Sequence, residues 1–195
     1  MSGRVGLFID YQNVYRRARS AFALASDPHW VGQIDPLKVG SRIAAKSGST
    51  LEFVRIYRGL PDGAKDPKGN AACSRQVAAW RQLQRVEVFT RPLRYPQNYP
   101  AEKPSEKGID VQLAVDFVVA ALDSRFDIGV IFSVDTDLKP AIETVCARTP
   151  HKVEVATWQP PVGYASRISI QTRKIWCHHL DRADFDAVAD RVDYA

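Results

Sequence analysis

Cysteine is scarce in this chain. Three occur among 195 residues, Cys73, Cys146 and Cys177, scattered and odd in number. That fits a reducing cytosol better than a disulfide framework. No uninterrupted apolar stretch of about 18 residues occurs, so no membrane-spanning helix is expected. Neither a Walker A sequence nor a Gly-x-Gly-x-x-Gly turn is present, so neither dedicated phosphate loop is available. Internal repeats and an obvious domain linker are also missing. Cys177-His178-His179 invites a zinc reading, but adjacent residues rarely converge on one ion, and no second Cys/His pair has suitable spacing. Structural packing is the favoured role for that cluster. Met-Ser-Gly-Arg leads directly into a five-residue apolar run, too short and too polar for a signal peptide. Cytoplasmic location is the expectation.

What is present is enough apolar material for one full core. The chain is 45% hydrophobic, ordinary for a single globular domain of this size. Its formal net charge is +5 and its pI about 9.2, which favours a polyanionic partner.

Apolar patterning alternates between strand and helix. Arg4–Ile9 reads as a buried strand. Residues 10–25 read as a helix, with Val14, Ala18, Ala21, Phe22 and Ala25 at helical spacing. Asp35-Pro36 reads as an N-cap and first position of a short helix. Residues 51–57 are β-rich, 59–69 read as a loop, 71–84 as a helix and 86–90 as a short strand. Prolines recur at 92, 96, 100 and 104, so 91–108 is expected to be a long loop. Residues 109–122 read as a strongly apolar helix, 128–134 as a strand covered on both faces, 137–148 as a helix and 152–157 as a strand. Residues 166–179 fit a strand, or a turn followed by a short helix. A last helix is expected over 184–192. The fold class is therefore α/β with a mainly parallel sheet.

Four aspartates fall at element ends. Asp10 closes the first apolar run, Asp110 opens the 109–122 helix, and Asp135 and Asp137 follow Val130-Ile131-Phe132-Ser133-Val134. In an open parallel sheet such positions converge at the carboxyl edge. Clustered carboxylates there are costly unless a cation neutralises them. Each also has a simpler reading as a helix cap. Asn13, three residues after Asp10, is positioned to hold a water or phosphate, or to bond the backbone. Ser133 and Thr136 can support the Asp135–Asp137 pair from outside. Lys107 is suited to offsetting acidic charge or holding a phosphate. Asp116 lies about 240° around the helix from Asp110, so it is expected to be buried and paired, in support.

Phe8-Ile9-Asp10-Tyr11-Gln12-Asn13, the segment Glu106 to Asp116 and Ser133-Val134-Asp135-Thr136-Asp137-Leu138 together resemble the NYN domain family. That family belongs to the PIN-like nuclease group and includes the LabA-like proteins. The resemblance covers about residues 4–160. It implies a Rossmann-like α/β/α sandwich; the domain core is expected over 1–160, and 161–195, outside the resemblance, as a C-terminal extension packed on the same domain. It also implies a Mg²⁺- or Mn²⁺-dependent endoribonuclease, a hydrolase whose acidic site is Asp10, Asp110, Asp135 and Asp137. Two positions depart from the family pattern: Val134 stands where glycine is usual, and Leu138 where phenylalanine is common.

RNA also needs a basic track beside the acids. Arg55, Arg58, Lys65, Lys68 and Arg75 precede the proline loop or the helix before it. Arg91, Arg94 and Lys103 lie in or beside that loop. Tyr95 and Tyr99 are candidates for stacking on single-stranded bases, or for packing on the prolines. The partner expected is single-stranded or structured RNA. A homodimer is carried as a further expectation, because related sites build part of their groove from a partner subunit. An RNA- or protein-binding regulator with a weak or inactive site is the alternative. A nucleotide-sugar transferase using Asp135-Thr136-Asp137 leaves Asp10 and Asp110 unexplained.

Overall fold

A computed structural model describes residues 3–195. Its centre is a six-stranded sheet, parallel throughout, in the order β3-β2-β1-β4-β5-β6. The strands are β1 (Arg4–Asp10), β2 (Thr50–Leu60), β3 (Val86–Pro92), β4 (Ile128–Phe132), β5 (Lys152–Trp158) and β6 (Trp176–Leu180). Residues 5–9 of β1 are all buried, as a central parallel strand covered on both faces requires.

Helices cover both faces. Helices α1 (Tyr11–Phe22), α2 (Pro36–Lys46), α3 (Pro67–Arg81) and α6 (Arg182–Val188) contribute to one core, around Trp80, Phe22, Trp158 and Phe185. Helices α4 (Ile109–Leu122) and α5 (Lys139–Arg148) cover the other, around Phe8, Phe53, Phe117 and Phe126. Phe8 meets Phe117 edge-on with centroids 5.1 Å apart, a favourable aromatic geometry. This cluster presses on the sheet so closely that Gly129 is required: a Cβ there would lie 2.6 Å from Phe126 and 2.7 Å from Phe117.

Several boundaries differ from expectation for local reasons. Helix α1 stops at Phe22 because Ala23 turns extended and the Asp27 carboxylate accepts the Leu24 N–H at 2.7 Å. Asp35 caps α2 as expected, accepting from the Leu37 and Lys38 amides at 2.9 and 3.1 Å. Helix α3 starts at Pro67, inside the expected 59–69 loop, because Asp66-Pro67 repeats that arrangement, with Asp66 accepting from Gly69 N–H at 2.9 Å. The proline segment is an ordered excursion pinned at its neck. Arg94 and Ser105 exchange backbone hydrogen bonds of 2.9 and 3.0 Å. The ambiguous 166–179 region yields β6, which pairs with β5. The last helix begins at Arg182, two residues early, on a capping box between Asp181 and Asp184. Asp184 then ties α6 to α2 through Arg42 at 2.7 Å and Lys46 at 3.0 Å.

All three cysteines are free and buried. No helix among the described residues is long and apolar enough to cross a membrane.

Candidate active site

The chain reverses its direction of growth across the sheet between β1 and β4, which are neighbours. Such a switch point opens a crevice at the carboxyl ends of the flanking strands. Asp10 is the last residue of β1, and Ser133-Val134-Asp135 follows β4. Strand pairing therefore delivers these two segments to one place without any specific loop design.

Hydrogen bonds fix them there. Asp10 Oδ1 accepts from the Asn13 backbone N–H at 3.2 Å, so Asp10 does cap α1. Its other oxygen accepts from the Ser133 hydroxyl at 2.9 Å. Ser133 Oγ in turn accepts the Asp135 N–H at 3.0 Å, and the Asn13 side-chain oxygen accepts the Val134 N–H at 3.3 Å. Asp135 caps the short 3-10 turn Thr136–Leu138 through the Asp137 N–H at 3.0 Å. Capping therefore occupies one oxygen of Asp10 and one of Asp135, while the Ser133–Asn13 bracket binds the two segments to each other.

Asp110 behaves differently. The N-cap of α4 is Gly108, in the left-handed conformation at φ 76°, and no side chain caps this helix. A capping role for Asp110 is thus excluded, and its carboxylate makes no side-chain hydrogen bond among the described residues. Electrostatically it belongs with Asp10. The Asp10 carboxyl is pushed above its ordinary range, first by burial and then by the nearby charges of Asp135 and Asp110, against the opposing bonds from Ser133 and Asn13. Acids from two other segments therefore act on Asp10 at the crevice.

They do not close on a common point. Among the described residues no three acidic, histidine or cysteine side chains converge as a ready-made metal cage. The donor set is nevertheless all oxygen, as a hard divalent cation requires. Open spacing suits Mg²⁺, which keeps several of its own waters.

The remaining expected positions divide clearly. Asp137 and Thr136 are exposed on the 3-10 turn, and Lys107 is exposed before α4. Asp116 accepts from the Tyr57 hydroxyl at 2.9 Å, a structural pairing that, after burial, raises the tyrosine's pKa. Arg55 is spent on packing: it pairs with Glu87 at 2.9 Å and lies over the Phe53 ring at 5.1 Å. Arg58 lies over Tyr11 at 4.7 Å and bonds Gln76. Arg91 donates to Gln112 at 2.8 Å, while Arg94 and Lys103 are exposed on the proline excursion. Tyr95 and Tyr99 pack edge-on against each other, centroids 4.9 Å apart, and the Tyr95 hydroxyl accepts from the Asp62 N–H at 3.2 Å. Both rings are thereby committed to holding the excursion against the 61–66 turn.

Five residues outside the expected set line the acidic crevice: Gln12, Arg16, Arg17, Ser20 and Glu106. Glu106 accepts the Gly59 N–H at 2.6 Å and shares with Asp10, Asn13 and Asp135 a cleft of about 410 Å³. Burial, followed by the charge of Asp10, raises the Glu106 carboxyl, while the Gly59 bond and Arg16 oppose it. Arg16 and Arg17 form the basic wall of this cleft. Their sequence signal is the polar stripe Asn13, Arg16, Arg17 and Ser20 on α1, which starts at the acid itself.

The NYN domain family model matches residues 4–169. A solved structure, a protein of unknown function from Vibrio parahaemolyticus, is 21% identical with a TM-score of 0.53, over 80% of this chain and 81% of that one. That likeness is one of fold. No curated protein matches the chain.

Proposed function

The chain belongs to the NYN domain family, of PIN-like nuclease fold, and from that membership we propose that it is a divalent-metal-dependent endoribonuclease acting at Asp10, Asp110 and Asp135. The observation that carries this reading is the placement of Asp10 at the switch point within reach of Asp135 and Asp110, where burial first, and those two charges after it, push its carboxyl above the ordinary range. Such an arrangement disfavours its own charge and is relieved by a cation. Mg²⁺ or Mn²⁺ bound there would supply a water of lowered pKa and neutralise charge on the scissile phosphate. Asp10, Asp110 and Asp135 would hold it, with Asp137 completing the set through water. Ser133 and the Asn13 amide keep Asp10 and Asp135 oriented before substrate arrives. Arg16 and Arg17 face the same cleft and attract the flanking phosphates.

Beyond Arg17 the cleft continues. Arg17 and Ser20 also border a smaller hollow beside Trp158 and Tyr164, and Tyr164 is fully exposed. This route from acid to arginine to aromatic supports a single-stranded RNA track along α1. It runs apart from the expected track through Arg55, Arg58, Tyr95 and Tyr99, whose side chains also serve packing. Arg17→Ala is expected to lower the salt dependence of RNA binding by about one phosphate contact. Tyr164→Ala is expected to cost about 1–3 kcal/mol of single-strand affinity. Fluorescence anisotropy over a salt series measures both, and unchanged affinity in both variants removes the track.

Open carboxylate spacing favours one second reading, an RNA-binding module with little turnover. Cleavage of single-stranded and structured RNA in Mg²⁺, Mn²⁺ or EDTA separates the two. The nuclease reading expects metal-dependent cleavage, abolished by EDTA and reduced about 100-fold or more in Asp135→Asn. Tight binding without cleavage in either metal would establish the module instead.

A further inference from the structure

Residues of α1 and α3 line a cavity of about 430 Å³ at the carboxyl edge of the sheet, within the size range of a small-molecule site. Tyr11 and Tyr15 of α1 contribute an aromatic wall, their rings nearly parallel with centroids 6.0 Å apart. Arg58 from β2, Gln76 from α3 and Gln33 from the segment before α2 also line it. Four buried side-chain polar atoms among the described residues lack a hydrogen-bond partner: Gln33 Oε1, Arg58 Nε, Gln76 Nε2 and Trp80 Nε1. Three of the four belong to the walls of this one cavity. Gln33 and Gln76 are only 7% and 3% exposed. Ser133, Glu154, His178 and Asp184 are also buried, and each is hydrogen-bonded. Buried amides left open are costly, so their concentration around one cavity calls for a ligand that satisfies them.

The free groups define the chemistry of that ligand. Gln76 Oε1 accepts from the Tyr11 hydroxyl at 3.2 Å and from Arg58 Nη1, which fixes Gln76 Nε2 as a donor. Arg58 Nε is a second donor. Gln33 offers its Oε1 as an acceptor, with the N–H donors of the same amide beside it. A planar, neutral partner with donors and acceptors along its edge meets all three, and the tyrosine rings favour an aromatic one. A nucleobase has this character, and an unpaired one is recognised by stacking and by hydrogen bonds to its edge. A phosphate fits poorly. The Asp66 carboxylate lines the same cavity, and the Arg58 guanidinium is already shared between Gln76 and the Tyr11 ring, 4.7 Å away.

Gln12, two residues after Asp10, borders both this cavity and the acidic cleft. The cleft thus meets the Tyr164 hollow at Arg17 and this cavity at Gln12. We propose that the cavity captures one unstacked base of the single-stranded RNA substrate and so imposes a base preference beside the cut. The proposal rests on the ribonuclease reading above, but capture itself requires neither metal nor turnover.

Titration of the ¹⁵N-labelled full chain in EDTA with AMP, GMP, CMP and UMP, and with ribose 5-phosphate as a base-free control, tests capture apart from cleavage. The side-chain amide resonances of Gln33 and Gln76 report the site directly. At least one mononucleotide is expected to shift both, with a dissociation constant of about 1 mM or tighter and at least tenfold below that of ribose 5-phosphate. Gln33→Leu is expected to weaken this binding about tenfold or more, as losing an amide pairing to a base does. Its thermal midpoint should equal or exceed the parent's, because the Gln33 oxygen has no partner in the fold. Gln33→Met, unbranched like glutamine, repeats the test if the leucine variant melts lower. Unmoved amides with all four mononucleotides, equal affinity for ribose 5-phosphate, or undiminished binding in a folded variant overturns the proposal. A lower midpoint in both variants overturns it as well, since the amide would then be serving the fold. Metal-dependent cleavage without base capture removes the cavity alone; base capture without cleavage removes the ribonuclease reading alone.

Discussion

Asp10→Asn is expected to abolish RNA cleavage while leaving the metal-free protein at least as stable as the parent. The two effects have one origin. Asp10 is half-buried at the end of β1, and burial together with the charges of Asp135 and Asp110 works against its ionised form more than Ser133 and Asn13 support it. In the unfolded chain that carboxylate is solvated and far from the other two acids. Its charge at neutral pH is therefore a net cost to the fold. Asparagine removes the charge, keeps an oxygen to accept the Asn13 N–H, and leaves the Ser133 hydroxyl a neighbour of similar shape. Thermal melts in EDTA should accordingly show an equal or higher midpoint for the variant. Added Mn²⁺ or Mg²⁺ should raise the midpoint of the parent, because a ligand that binds only the folded state stabilises it by mass action. The same addition should leave Asp10→Asn nearly unmoved. An inert cap predicts the reverse pattern. Losing a good N-cap costs about 0.5–2 kcal/mol, and the metal response would survive. A variant that melts lower in EDTA yet retains its metal shift would reduce Asp10 to the end of a helix.

How much of this could be read in the residues depends on which force sets each feature. Asp10 and Asp135 were legible because they end continuous apolar runs, and a parallel sheet brings such ends together. Asp110 was legible as a member of the set but not in its local role. Only the backbone shows that Gly108, by adopting φ 76°, takes the cap position and leaves Asp110 without that duty. Asp66-Pro67 shows how a local signal can be misassigned. The same pair that starts α2 at Asp35-Pro36 lies there among other turn-forming residues, a composition that points to a loop. Arg55 and Arg58 mark the harder limit. A guanidinium on a strand looks like surface charge in one dimension, whereas here both lie on aromatic faces, a preference of arginine that spacing alone does not reveal. The placement of Glu106 leaves no local sequence signal for a related reason. Its placement depends on the proline excursion folding back to the Gly59 amide, a contact across 47 residues with no periodic signature.

The second large effect is expected at the β5–β6 edge, where His178→Ala should cost about 3 kcal/mol of folding stability, because it leaves a buried carboxylate without a charge-assisted hydrogen bond. Glu154 and His178 are both almost completely buried, and the imidazole Nε2–H donates to the Glu154 carboxylate at 2.6 Å. Ser47, capping α2, donates to the same carboxylate oxygen at 3.2 Å. Burial alone would raise the Glu154 carboxyl, but the bonds from His178 and Lys152 outweigh it and hold the group below its ordinary range. Lys152 cannot replace the imidazole, since its own side chain is mostly in solvent and its attraction is screened. The sign of the pH dependence follows. A depressed carboxyl contributes stability that is present above its unfolded value, near 4.3, and disappears as pH falls through the lower folded value. Denaturant titrations of Glu154→Gln should thus show a shallower loss of stability on acidification than the parent, because that proton uptake is gone. The paired variant Glu154→Leu with His178→Leu gives the sharpest test. Replacing both members of a buried pair with apolar side chains is often neutral or stabilising, so it should recover most of what His178→Ala loses. If it does, the attraction within the Glu154–His178 pair does little more than offset the cost of burying it. A double variant no better than the single one would instead show that the pair is bound into a wider network, with Ser47 carrying the strain into α2.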